Sequence, residues 1–107
     1  MDVPEVEVEE ALERHQEGAL LIDVREPDEY VEVHAAGARL IPLAEVPEHA
    51  DDLPNDAPVY LICRSGARSA KAAELLRSRG IDAVNVFGGT LAWLDAGLPT
   101  ATGTEPG

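Results

Sequence analysis

The feature that most constrains this chain is a set of short apolar runs set apart by helical stretches. Ala19 to Val24 (ALLIDV) is continuous and apolar up to Asp23, the pattern of a strand covered on both faces. Pro58 to Ile62 (PVYLI) is the strongest strand in the sequence, and Ala83 to Phe87 is another. Parallel neighbours need crossover connections, and helices between such runs supply them. The expected fold is therefore α/β with a largely parallel sheet. Ligands of such sheets sit beyond the carboxyl ends of the strands.

The intervening segments agree. Val3 to Val6 contains Pro4 and is an edge-strand candidate. Val8, Ala11, Leu12 and His15 form the stripe of an amphipathic helix closed by Gly18. Arg25 to His34 reads as a short helix opened by Pro27, and Ala38 to Ile41 as a short strand stopped by Pro42. Leu43 to Leu53 has room for one or two helical turns. Ser69 to Arg79 is a clear helix with an inward Ala70, Ala73, Leu76 stripe and Gly80 at its end. After the Gly88-Gly89 turn, Thr90 is the expected cap of a last helix through Ala96. Residues 1–99 are expected to form the domain, with 100–107 (TATGTEPG) a disordered tail.

Charge and composition exclude several classes. The chain has 107 residues, with 8 basic against 21 acidic side chains, a net charge of −13. Residues 1–56 carry 17 acids and 3 arginines, so nucleic acid and anionic membrane surfaces are repelled. The longest apolar run, Val59 to Cys63, is far short of the roughly 20 residues of a membrane span. The acidic start lacks the features of a secretory leader, so a cytoplasmic protein is expected. One cysteine permits no internal disulfide and no multi-cysteine zinc site. A positive island breaks the acidic pattern: between Arg64 and Arg79 Glu74 is the only acid, and a small anion would settle there.

The loop Cys63-Arg64-Ser65-Gly66-Ala67-Arg68-Ser69 carries the chemistry. A strand delivers Cys63, and a helix is expected six residues later. If the loop curls, its N–H groups converge on the sulfur together with the unpaired amides of the helix start. Gly66 permits the required backbone angles, and Arg64 and Arg68 add permanent positive charge. All of these favour a thiolate that stays open to solvent. The alternative is an inert cysteine buried at a strand end; two arginines, a glycine and a helix start around it argue against that.

Four motifs, in order, resemble a single-domain rhodanese (a rhodanese-like sulfurtransferase) over about residues 3–99. They are LLIDVREPDEY at 20–30, His34…Gly37-Ala38…Ile41-Pro42-Leu43, VYLICRSGARS at 59–69 and VFGGTLAWLDAGLP at 86–99. The resemblance implies a rhodanese-like three-layer sandwich, a five-stranded, largely parallel sheet flanked by helices on both faces. It implies Cys63 as nucleophile, with Arg64, Ser65, Gly66, Ala67, Arg68 and Ser69 binding substrate. The family's Gly-His-Ile-Pro-Gly-Ala stretch is altered here: Val33, Ala35 and Ala36 replace the Gly, Ile and Pro, which bears on the local backbone and the entrance more than on the loop.

The implied reaction is thiosulfate sulfurtransfer. Cys63 takes a sulfane sulfur from a small anionic donor such as thiosulfate, becomes a persulfide, and yields that sulfur to a thiol, cyanide or a protein cysteine. No metal or organic cofactor is required, and a monomer or weak homodimer is expected. Two other readings share these residues. A sulfur-relay or sensing module would receive sulfur from one protein and pass it to another, its acidic half docking a basic partner. Phosphatases and arsenate reductases of the same fold resemble Cys-x5-Arg; here Cys63 to Arg68 is Cys-x4-Arg, a tighter ring suited to one sulfur atom.

Other polar residues read more simply. Asp23 and Arg25 suit a salt bridge at a strand end, with substrate contact the lesser alternative. His34 matches a structural turn of the family and is expected to hydrogen-bond there rather than act as a base. His15 and His49 are structural or solvated, and three dispersed histidines make no metal motif. Trp93 suits core packing. Ser65 and Ser69 are candidate donors to a bound anion, Ser69 equally a helix cap.

Overall fold

The computed structural model describes residues 2–107. Five strands form one parallel sheet: β1 (Glu5–Val6), β2 (Leu20–Asp23), β4 (Arg39–Leu40), β5 (Val59–Ile62) and β6 (Ala83–Val86), in the order β1-β6-β5-β2-β4. The helices are α1 (Val8–Gln16), α2 (Pro27–Glu32), α3 (Val46–His49), α4 (Ala67–Ser78) and α5 (Gly89–Asp95). A separate antiparallel pair joins β3 (His34–Ala35) to β7 (Thr100–Ala101). The expected α/β sheet is thus present, with the two most apolar runs, β2 and β5, at neighbouring central positions.

Successive side chains of a strand point to opposite faces, so a covered strand feeds two cores. Ile22, Val59 and Leu61 pack with Val46, Ala72, Ala73 and Leu76 from α3 and α4. Leu21, Tyr60 and Ile62 pack on the other face with Val8, Ala11 and Trp93 from α1 and α5. The three layers follow directly from that alternation. Pro4 lies at the edge as expected, its carbonyl accepting from the Asn85 N–H at 2.9 Å. Among the described residues no helix is long and apolar enough to cross a membrane.

Four local expectations change. Helix α4 begins at Ala67, four residues after Cys63 instead of six, because Gly66 takes φ +112° and turns the chain at once. Its buried face is Ser69, Ala72, Ala73 and Leu76, with Ala70 only half-buried. Helix α5 is preceded by Gly88, not capped by Thr90, which lies inside its first turn. Helix α2 ends at Glu32, and His34 enters β3.

The segment 100–107, expected to lie free, is placed against the body. Beyond the β3–β7 pairing, the Gly103 N–H donates to Val31 O and the Gly37 N–H to Pro106 O, both at 2.8 Å. These are backbone bonds, which a run of small polar residues can make without any apolar periodicity to announce them.

Candidate functional site

Cys63 follows β5 by one residue, at the carboxyl end of the sheet. The carbonyl of Cys63 is pinned from α5: the Thr90 N–H donates to it at 2.7 Å and Thr90 Oγ1 at 2.9 Å. That close approach requires Gly89, where a Cβ would lie 2.5 Å from Cys63 O and 2.6 Å from Arg64 O. The strand end is therefore fixed, and only the chain after it can curl round the sulfur.

It does so in a short arc. The Gly66 N–H donates to Cys63 Sγ at 3.0 Å, and Ser69 Oγ lies 3.3 Å from the same atom. Burial pushes the Cys63 thiol up. The Ser69 hydroxyl and the backbone N–H groups of Ser69, Gly66 and Ser65 outweigh that burial and hold it below the ordinary value. The dipoles thus converge on sulfur as expected from sequence. Exposure does not follow the expectation: Cys63 is only 1% exposed. With the helix starting early, the ring closes over the sulfur and its polar lining substitutes for water.

The two arginines of the loop part company. Arg68 makes a two-pronged ion pair with Glu29 of α2, at 2.7 and 2.9 Å. The Arg68 hydrogen bond, against some burial, holds the Glu29 carboxyl down at about 2. Arg68 is therefore a partly neutralised charge and not a second free one. Arg64 is exposed and, among the described residues, has no side-chain hydrogen bond or ion pair. It lines a cleft of about 180 Å³ with Arg25, Glu29, Val33, Thr90 and Leu94. Ser65 and Ala67 are exposed on the same loop.

Ser69 is not a helix cap; Gly66 holds the cap position and no side chain caps this helix. Its hydroxyl is buried between sulfur and Asn85, whose Oδ1 lies 2.5 Å away. Asn85, Thr90 and Glu29 are not among the site residues expected from the sequence, because they arrive from β6, α5 and α2. Only the closeness of Asn85 and Thr90 to Gly88-Gly89 offered a signal. Asp23 and Arg25 form the expected ion pair at 2.8 Å, buried, and Arg25 also donates to Val33 O. His34 has the expected hydrogen-bonding role, Trp93 is wholly buried, and His15 donates to or accepts from nothing near the loop, its Nδ1 facing Ala19 O.

A family model described as a rhodanese-like domain matches residues 7–96. This chain belongs to the rhodanese-like domain family. Its relatives include a sulfurtransferase of Allochromatium vinosum, 36% identical over 84 residues and covering 78% of each chain. The thiosulfate sulfurtransferase GlpE of Actinobacillus pleuropneumoniae is 32% identical over 87 residues, covering 80% of this chain and 81% of that one. A crystal structure of a rhodanese-related protein from Thermoplasma volcanium superposes with a TM-score of 0.84 at 31% identity, covering 95% of this chain and 99% of the other. Within the rhodanese-like frame, the arc around Cys63 aims the Gly66 N–H and the Ser69 hydroxyl at one sulfur atom.

Proposed function

We propose that this rhodanese-like domain is a sulfurtransferase that carries a sulfane sulfur on Cys63 from a small anionic donor such as thiosulfate to a thiophilic acceptor. The observation that carries this reading is the convergence of the Gly66 N–H and the Ser69 hydroxyl on Cys63 Sγ. A cup that favours an anion at sulfur serves both the attacking thiolate and the persulfide it becomes. The names of the relatives support the reaction class, and one of them carries thiosulfate in its name.

In the first step the Cys63 thiolate attacks the outer sulfur of thiosulfate. A new S–S bond forms, the donor's S–S bond breaks, and its electron pair leaves on sulfite. A thiolate and a dianion enter; a persulfide anion and a sulfite dianion result. In the second step cyanide attacks the outer sulfur and leaves as thiocyanate, or a thiolate acceptor leaves as its own persulfide. The Cys63 thiolate returns, and no oxidant is consumed. Such covalent exchange gives ping-pong kinetics.

Arg64 supplies the free positive charge for the donor's oxygens, with the N–H groups of Ser65, Gly66, Ala67 and Ser69 completing the cup. Arg68 attracts the thiolate while Glu29 holds it in place. Arg64 and Ser65 are exposed, and Arg64 lines the cleft it shares with Glu29 and Glu32, so Arg64 is the group that meets an arriving donor.

Intact mass spectrometry after thiosulfate treatment tests the reading. The expected result is one adduct of about 32 Da, the mass of a sulfur atom, removed by cyanide and absent in Cys63→Ser. Failure to load from any sulfane donor would reject it.

A further inference from the structure

Ser69 has one hydroxyl proton and three acceptors within reach. Cys63 Sγ and Gly66 O each lie 3.3 Å from Oγ, and Asn85 Oδ1 lies at 2.5 Å. The Asn85 amide has a fixed orientation, because its Nδ2 donates to Glu5 Oε2 at 2.8 Å and to Gly66 O at 3.2 Å. Two acceptors on one side and a hydroxyl on the other leave the carbonyl oxygen facing Ser69. Asn85 and Ser69 are both almost wholly buried, so water does not compete for these bonds.

We propose that Asn85 is a positioning residue for the Cys63 loop, holding the Ser69 proton while the sulfur is a neutral thiol and releasing it to the sulfur when that becomes an anion. The contest is between a neutral amide oxygen at short range and an anionic sulfur farther away. A hydrogen bond to an ion is roughly twice as strong as one between neutral groups, so ionisation of Cys63 turns the hydroxyl round. The same turn serves the persulfide, which also carries its charge on sulfur. Asn85 thus competes with Cys63 for Ser69 and moderates the thiolate population that Ser69 alone would produce. The inference rests on Cys63 being the nucleophile, but it concerns the thiol before any donor arrives.

The test titrates Cys63 by its ultraviolet thiolate absorbance and by iodoacetamide alkylation, without a sulfur donor. Ser69→Ala is expected to raise the thiol pKa. Asn85→Leu, which keeps the branched shape and loses the amide, is expected to lower it and to quicken alkylation at neutral pH about threefold, because the hydroxyl is then shared between the sulfur and Gly66 O alone. In the Ser69→Ala background the Asn85→Leu effect is expected to vanish, since the proton it releases is gone. A shift of Asn85→Leu in the same direction as Ser69→Ala, or one that survives in the double variant, would overturn the proposal. Should Asn85→Leu fail to fold, Glu5→Ala decides. Glu5 is exposed on the edge strand, and loosening the outer anchor of the amide should shift the pKa downward by a smaller amount; an unchanged titration overturns the proposal. Donor loading measured by mass reads the nucleophile separately, so either reading can fail while the other stands.

Discussion

Two regions of this molecule gather backbone groups around a single buried side chain, with opposite polarity. At Cys63 the gathered groups are donors: the N–H groups of Ser65, Gly66 and Ser69 face one sulfur. At His34 they are acceptors: Tyr30 O lies 2.8 Å from Nδ1, and Glu105 O and Pro106 O lie 2.9 and 3.2 Å from Nε2. The first cage is built within seven consecutive residues and surrounds the proposed nucleophile. The second closes a span of more than seventy residues and serves attachment, fastening the chain end to the turn after α2. A short cage can be carried by one loop and a helix start. A long one must be carried by the whole fold.

The sharpest way to break the comparison is to disturb the support of the first cage from outside it. Gly89→Ala drives a Cβ against Cys63 O and Arg64 O, both backbone atoms, at a residue with φ +59°. Neither β5 nor α5 can yield without loosening the Thr90 bonds to Cys63 O. The expected cost is about 3 kcal/mol by thermal or urea denaturation, together with a large loss of alkylation rate at Cys63. A variant with wild-type stability and reactivity would show that the strand end is not fixed from α5.

The corresponding disturbance of the second cage is His34→Ala. It leaves three carbonyls without the ring, removes the stack on Tyr30 with its 3.6 Å centroid spacing, and opens a cavity. A loss of about 2–3 kcal/mol is expected, with protease sensitivity appearing first in 100–107. Cys63 alkylation in the folded variant should stay near wild type. Parallel loss of both would mean that the two cages are one cooperative unit.

That contrast explains what could be read from the chain beforehand. Cys63, Arg64, Gly66 and Arg68 stand in one short stretch, and their clustering after an apolar run pointed to a converging loop. Ser69 carries two expectations, donor to a bound anion and helix cap, and the second fails. A hydroxyl near a helix start suggests a cap, yet Gly66 turns the chain sharply enough that the helix begins at Ala67 and Ser69 faces the sulfur. A sulfur open to solvent belongs to a longer loop; with α4 starting at Ala67 the ring closes over Cys63, which is 1% exposed. Glu29, Asn85 and Thr90 belong to other elements, and spacing along the chain says nothing of such meetings. The same holds for residues 100–107. Their bonds to His34, Gly37 and Val31 are made by backbone carbonyls and amides that every sequence possesses, so TATGTEPG gave no sign of them.

A subtler change sharpens the first cage alone. Ser69→Ala removes a hydrogen bond that favours the anion, so the Cys63 pKa should rise and less thiolate is present at a given pH. The alkali-side shift should appear in the pH profile of alkylation and equally in that of sulfur loading, with a roughly tenfold slower rate at neutral pH that recovers as pH increases. A loss that does not recover in alkali would locate the role of Ser69 in geometry instead of charge.

The smallest expected effect concerns the element that links the two cages. Helix α2 presents Glu29 to Arg68 on one side and the next residue, Tyr30, to His34 on the other. The Glu29 carboxyl lies at about 2 in the fold against an ordinary value of 4.5, so the ion pair contributes stability above the ordinary value. That contribution fades as pH falls through the window between the two and is gone below the folded value. Both side chains are about a third exposed or a little less, which screens the pair. Glu29→Gln should therefore cost within about 1 kcal/mol at neutral pH, and less in high salt. Across the acid window the wild type should lose more stability than Glu29→Gln, so that their melting temperatures draw together. Curves that stay parallel would mean that Arg68 is held by packing, and that α2 couples the sulfur to the chain end without help from charge.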